Sequence, residues 1–214
     1  LPLCFDLIPR LPVDVQPLRF TASKFIGKYA AWLAIHPDVL SPLLPYLAQG
    51  LSIPVCARAC AVAIKELCER SNQQMAIGEP VLQLYNEISN KPTSVSSPLT
   101  LVDELEILEG VCRAISRQIQ DTQSDGSILL RRIVEPIGSR LSVVVESPHC
   151  DIKRDIVPEI DRLTTVVRYL VVPKSQDGSS HIVEAVHAMW QFLEAASYRF
   201  PQDPILAEKI CRLH

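Results

Sequence analysis

The stretch RFTASKFIGKYAAWLAIHPDVLSPLLPYLAQGL, residues 19–51, decides the fold. Together with Leu18, the apolar positions Phe25, Ile26, Tyr29, Ala30 and Leu33 recur at three- and four-residue steps, which lays them along one stripe of a helix over 18–33. His36-Pro37-Asp38 then breaks the chain, with Asp38 placed to cap the next helix. Val39, Leu40, Leu43, Leu44 and Leu47 carry this second helix to Gly50, and Pro42 and Pro45 inside it are expected to bend it.

The same punctuation continues along the chain. An alanine- and cysteine-rich helix is expected over 54–70 and a partner over 79–88, the small residues permitting close stacking. The polar break SNKPTSVSSP, residues 89–98, separates these from two long helices over 99–120 and 127–146. Ser147-Pro148 ends that pair, and Asp151 opens a helix to about Leu170. The loop VPKSQDGSS, 172–180, leads to a partner over 181–199. Asp203-Pro204, an N-cap followed by proline at the first helical position, starts a last helix.

The outgoing helices therefore begin near residues 18, 54, 98, 151 and 203, in steps of roughly 36 to 53. The pattern predicts an all-α fold, an α-solenoid of antiparallel HEAT-type helix pairs with bounds 18–50, 54–90, 98–147 and 151–200 and the start of a fifth at 203–214, in one segment spanning 1–214. An ordinary helical bundle is the alternative.

Composition agrees. The 214 residues are 48% hydrophobic and 21% charged, which excludes a disordered chain, and 7 glycines beside 17 prolines argue against the many tight turns of an all-β fold. A formal net charge of −3 lacks the excess of Lys and Arg that neutralises phosphates, so no direct nucleic-acid partner is expected. Charges such as Asp6, Arg58, Glu66 and Arg168 interrupt every greasy stretch, so no membrane span is expected. LPLCFDLIPRLP, residues 1–12, lacks the basic start and clean apolar run of a secretory signal. With no initiator Met and an ending inside an apparent helix, the sequence reads as part of a longer polypeptide. The odd set Cys4, Cys56, Cys60, Cys68, Cys112, Cys150 and Cys211 reads as reduced thiols, mostly in the core, of a cytosolic or nuclear protein.

No catalytic or metal constellation emerges, and no cofactor is called for. His36, His149, His181, His187 and His214 are scattered. The six-residue step from His181 to His187 faces opposite sides of a helix, unlike the four-residue step that shares a metal. Cys56 and Cys60 have that four-residue spacing but sit among Val55, Ala57, Ala59 and Ala61, the surroundings of core thiols. His149 and Cys150 are neighbours in sequence and so do not readily present their side chains to each other as a catalytic couple; a compact enzyme would need Cys150 at unusually low pKa. No GxGxxG or GxxxxGK[ST] phosphate cradle occurs. The acidic run DELEILEG, 103–110, sets Asp103, Glu104, Glu106 and Glu109 around Leu101, Leu105 and Leu108, and reads as a solvated flank or, alternatively, as a carboxylate strip for a basic partner. Arg131, Arg132 and Arg140 on the next helix are candidates for an inner surface, partly offset by Glu135 and Glu146.

Residues 19–51, followed by ACAVAIKELCERSNQQM at 59–75, resemble a helical-repeat phrase of the importin-β (karyopherin) superfamily, in its transportin-SR and importin-thirteen-like branch. The Asp161-Arg162-Leu163 step with Arg168, the helix holding Met189-Trp190, and AEKICR at 207–212 resemble the same family. The likeness covers nearly the whole chain and rests on the order and spacing of degenerate motifs. It implies a nuclear import receptor with no enzymatic reaction. Its cargo would be serine/arginine-rich splicing factors bearing RS-rich or phosphorylated segments, released by Ran-GTP, which would bind mostly through parts outside this stretch. Nucleoporins would be further partners, and the protein would shuttle between nucleus and cytoplasm. Lys209 and Arg212 match the opening basic positions of the family's arginine-rich, cargo-binding helix, whose guanidinium groups pair with phosphate oxygens. The alternative to a transport receptor is a HEAT-repeat scaffold or adaptor for complex assembly.

Overall fold

The computed structural model describes residues 2–12, 14–70, 77–90, 98–122, 126–173 and 180–213, and among them every regular element is a helix. They fall into two units, Leu1–Asp121 and Thr122–His214, each described by itself.

The first unit opens with α1 (Pro2–Leu7) and a 3-10 turn, Ile8–Arg10, which bury Phe5 and Ile8. The helix expected over 18–33 is two: α2 (Gln16–Lys28) and α3 (Ala30–Leu33), parted at Tyr29, whose φ of −101° and ψ of 17° leave the helical basin. The break lets three rings close on Phe5 of α1. Phe5 stacks on Trp32 at 5.2 Å between centroids, lies 5.3 Å from Phe25, and meets Tyr29 edge-on at 6.4 Å. The prolines after it do more than bend the second helix. Ser41-Pro42 divides it into α4 (Pro37–Leu40) and α5 (Leu43–Gly50), while Pro45 is tolerated in the first turn of α5, where no helical donor is needed. Asp38 does not cap: His36 holds the N-cap position of α4 without a side-chain bond, and its ring stacks on Trp32 at 3.8 Å.

Next come α6 (Pro54–Arg70), α7 (Gly78–Ser89) and α8 (Leu101–Thr122). Contacts give their directions. The Cys56 thiol reaches the Gln16 carbonyl, Ser23 meets Cys60, and Gly27 lies against Ala63, so numbers rise together and α2 runs parallel to α6. Arg58 meets Asp103, Cys68 lies against Gly110 and Glu69 pairs with Arg113, so α6 runs parallel to α8. Thus α6 lies beside α8 with α7 between them in sequence, and beside α2 with the short helices α3 to α5 between them, as stacked antiparallel pairs require. Arg19, 1% exposed, ties α2 to α5: its guanidinium donates to the Tyr46 carbonyl at 2.8 Å and lies 4.4 Å from the centre of the Tyr46 ring.

In the second unit Gly126, with φ of 69°, takes a left-handed conformation that favours glycine and caps α9 (Ser127–Glu146). The helix expected from Asp151 begins as a π-helical turn, Ile152–Ile156, and continues as α10 (Val157–Tyr169). Asp151 caps it, accepting from the Arg154 amide at 2.8 Å, and Pro158, which has no N–H to return to the Arg154 carbonyl, accounts for the widened turn before it. The last two helices are α11 (His181–Arg199) and α12 (Pro204–Cys211), the latter capped by Asp203 through the Leu206 amide at 2.8 Å. Gly138 lies against Met189, and Arg199 donates to the Val145 carbonyl, so α9 and α11 run parallel. Leu141, Val145, Ile156, Ile160, Leu193, Ala196 and Leu206 form the shared core of these four helices.

Candidate protein-binding site

Lys209 and Arg212 stand in and just after the last turn of α12, which Leu206, 1% exposed, seats on the core of its unit. Their side chains already have carboxylate partners. Lys209 Nζ donates to Asp161 Oδ1 on α10, and both side chains are largely covered, at 22% and 19% exposure. Arg212 donates to Glu208 Oε1 at 2.5 Å one turn back, in a pair that stands well out in solvent. An anion that takes both cations therefore competes with Asp161 at Lys209. Arg212 exchanges its partner more freely, because an exposed pair is weakly held.

The Asp161-Arg162-Leu163 step divides its roles. Asp161 takes Lys209, Leu163 is buried, and Arg162 donates to Glu159 Oε1 at 2.7 Å. Arg140 of α9 donates its Nε to the same carboxylate at 3.0 and 3.1 Å. Glu159 is 6% exposed, so this Arg–Glu–Arg triad holds α9 to α10 and leaves Arg140 engaged within the unit. Arg131 and Glu135 line a groove of about 560 Å³ between α9 and α11, with Gly138 and Met189 at its floor.

The acidic run on α8 is not a solvated flank. Asp103, 3% exposed, closes a capping box with Thr100: its carboxylate accepts from the Thr100 amide and hydroxyl at 3.2 and 2.7 Å, and Thr100 Oγ1 accepts from the Asp103 amide at 3.3 Å. Arg58 reaches the same carboxylate at 3.1 Å. Lys65 donates to Glu106 at 2.7 Å and Glu109 at 3.0 Å, and Arg113 bridges Glu109 and Glu69. Burial alone would push Glu109 up, but hydrogen bonds from Arg113 and Lys65 outweigh it and hold the carboxyl below its ordinary value. Burial would lower Lys65, and its bonds to Glu106 and Glu109 raise it instead. The run is a cross-helix ion-pair ladder, and sequence reading missed it because the partners lie on α6.

Among the described residues no group of three or more His, Cys, Asp or Glu side chains is placed to hold a metal ion. Cys56, Cys60, Cys68 and Cys112 are buried, and burial pushes the Cys60 thiol up to about 11 and Cys68 up to about 12. Cys150 is also pushed up, by burial, away from the thiolate a nucleophile needs. Cys4 and Cys211 lie exposed, outside the core expected for most of the thiols. His181 sits 3.5 Å from Glu184, and His214 lies outside the described residues. No described helix is long and apolar enough to cross a membrane.

Parallel helices lying side by side, fastened by cross-helix ion pairs and small-residue contacts, define a helical-repeat protein. Residues 3–84 match the Transportin-3/Importin-13 third TPR domain. Over 98% of its length the chain is 24% identical to an uncharacterized protein of Schizosaccharomyces pombe. It is 20% identical to importin-13 of Gallus gallus over 99% of its length, and 20% identical over its whole length to the mRNA transport regulator MTR10 of Saccharomyces cerevisiae. The chain spans between 21% and 23% of these relatives. A solved structure of importin-13 in its cytosolic state superposes with a TM-score of 0.73 at 17% identity, covering 99% of this chain and 24% of that one. The fold is an all-α helical-repeat solenoid. The chain is thus similar to importin-13 and MTR10 along essentially its whole length, and residues 3–84 carry the match to the family model.

Proposed function

We propose that this chain is a cargo-contacting segment of a nuclear import receptor, and that the cargo is a serine/arginine-rich splicing factor released when Ran-GTP binds. The observation that carries this reading is the likeness to importin-13 and MTR10 along essentially the whole chain. Stacked helix pairs support it, since they offer a long surface to a client rather than an enclosed reaction site. Lys209 and Arg212 are the positions through which α12 meets a phosphorylated or acidic stretch of cargo. Lys209 trades Asp161 for a phosphate oxygen as it does so. Ran-GTP and nucleoporins act mostly on parts of the receptor beyond these residues, and the receptor cycles between nucleus and cytoplasm.

The test is anisotropy of a fluorescent phosphorylated RS-repeat peptide on the full receptor, with and without Ran-GTP. Retention that is lost on adding Ran-GTP and weakened by Lys209→Ala/Arg212→Ala is the expected result. Unchanged affinity in that variant removes the two residues from the site. Retention indifferent to Ran-GTP replaces the receptor with a HEAT-repeat scaffold.

A further inference from the structure

Within the first unit, α2 and α6 leave a groove of about 560 Å³ along their parallel seam. Its floor is small and largely apolar: Ser23, Gly27, Ala59 and Ala63, with Phe20 and Val62 on the sides. Its rims are basic. Lys24 and Lys28 stand one turn apart on α2, and Arg58 and Arg70 mark the two ends of the α6 rim, about 18 Å apart at helical rise. Glu66 is the acid among the lining residues. Arg58 is engaged by Asp103, but Lys24, Lys28 and Arg70 have no carboxylate within ion-pair distance among the described residues. The contrast with α8 is direct, for there the acids Asp103, Glu106 and Glu109 each meet a cation of α6.

We infer that this groove binds an acidic segment of a partner protein, with carboxylates on Lys24, Lys28 and Arg70 and an apolar side chain on the floor between Phe20 and Val62. Charge complementarity selects the sign of the partner, because three cations with no carboxylate partner among the described residues, around one acid, leave a positive field that a row of Asp and Glu side chains neutralises. The apolar floor selects a protein over a nucleic acid, whose phosphates would meet Ala59, Ala63 and Val62 with nothing to pair, on a chain of net charge −3. Lys24 also lies 5.4 Å from the centre of the Phe20 ring, another residue lining the groove. The groove belongs to a different unit from Lys209 and Arg212, so either contact can fail while the other stands.

The experiment measures anisotropy of a short fluorescein-labelled peptide, in which Asp and Glu residues flank a central leucine, on the full chain at low and physiological salt. Binding is expected, weaker at the higher salt, and reduced roughly tenfold or more by Lys24→Glu/Lys28→Glu and by Arg70→Glu. Lys153→Glu, the same charge change on the second unit, leaves it intact. Lys24→Gln/Lys28→Gln repeats the loss without introducing a repulsive charge, and thermal melts of all variants establish that they are folded. Equal binding of a peptide with Asn and Gln in place of the acids overturns the proposal, as does unchanged affinity in the folded double variants. Tighter binding of a phosphoserine peptide or of single-stranded DNA at the same lysines overturns the assignment to an acidic segment.

Discussion

Gly110 of α8 sits against the backbone of Lys65 in α6: a β-carbon at position 110 would lie 2.9 Å from the Lys65 Cα and 3.1 Å from the Cys68 Cβ. Neither atom is the end of a flexible side chain, so Gly110→Ala must push the two helices apart. The expected cost is about 1–3 kcal/mol in urea denaturation, despite alanine's better helix propensity. Gly138 makes the opposite case, because the nearest atoms to its added carbon are Met189 side-chain atoms at 3.7 Å, an ordinary contact distance. Gly138→Ala is expected to stabilise by up to about 1 kcal/mol. A reversed order of the two variants would show that α6 and α8 are not held this closely.

Glu159 faces two guanidinium groups, Arg140 and Arg162, from a position that is 6% exposed. Removing a carboxylate from such a site takes away the charge that faces two largely covered cations. Glu159→Ala is therefore expected to destabilise by about 3 kcal/mol, well beyond any exposed ion pair. Glu208→Ala removes the partner of Arg212 in solvent and is expected to change the midpoint hardly at all. Chemical denaturation of the two variants side by side gives the comparison.

The ladder between α6 and α8 makes stability depend on pH in a defined direction. The Glu109 carboxyl is held below its ordinary 4.5, so the unfolded chain takes up a proton first as pH falls. Its contribution is complete above the unfolded value and is lost as pH drops through the folded one. Lys65, raised above 10.5, behaves in the mirror sense: its contribution is complete below that value and is lost as pH rises through the folded pKa. Glu109→Gln is expected to flatten the acid side of the stability profile between about pH 3 and 6, measured by urea midpoints. An unaltered acid slope would mean that Glu109 is not held below its ordinary value.

Thiol labelling reads burial directly. Cys4 and Cys211 are exposed and should react at once, whereas Cys60 and Cys68, buried and pushed up to about 11 and 12, should react only when their helices open. Cys150, half-buried and also raised, should fall between. Mass spectrometry of timed alkylation distinguishes the classes, and early modification of Cys68 would contradict the packing of α6 on α8.

Helices were legible wherever apolar residues recur at helical spacing and a proline or capping residue marks the end, as at Asp203-Pro204 and over 127–146. The break at Tyr29 was not, because no glycine or proline marks it; the cause is the ring cluster with Phe5, contributed by a segment whose prolines hid its own helix. The acidic run was misread for a related reason. A carboxylate's spacing along α8 gives its place on that helix and says nothing of Arg58 and Lys65, between 41 and 45 residues earlier. At the candidate site, Lys209 and Arg212 are expected from resemblance alone, whereas the Asp161 and Glu208 carboxylates that meet them follow from the fold. Lys24 and Lys28 drew no reading from the sequence, because the groove they border exists only once α6 lies beside α2.

Helix α6 is covered on two sides, by α2 at Cys60 and Ala63 and by α8 at Lys65 and Cys68. Opening of either flank leaves it half clothed instead of bare. Its amide protons should therefore be the slowest in their unit to exchange with deuterated solvent, and heating should strip neighbours from it in succession, with α6 the last to melt.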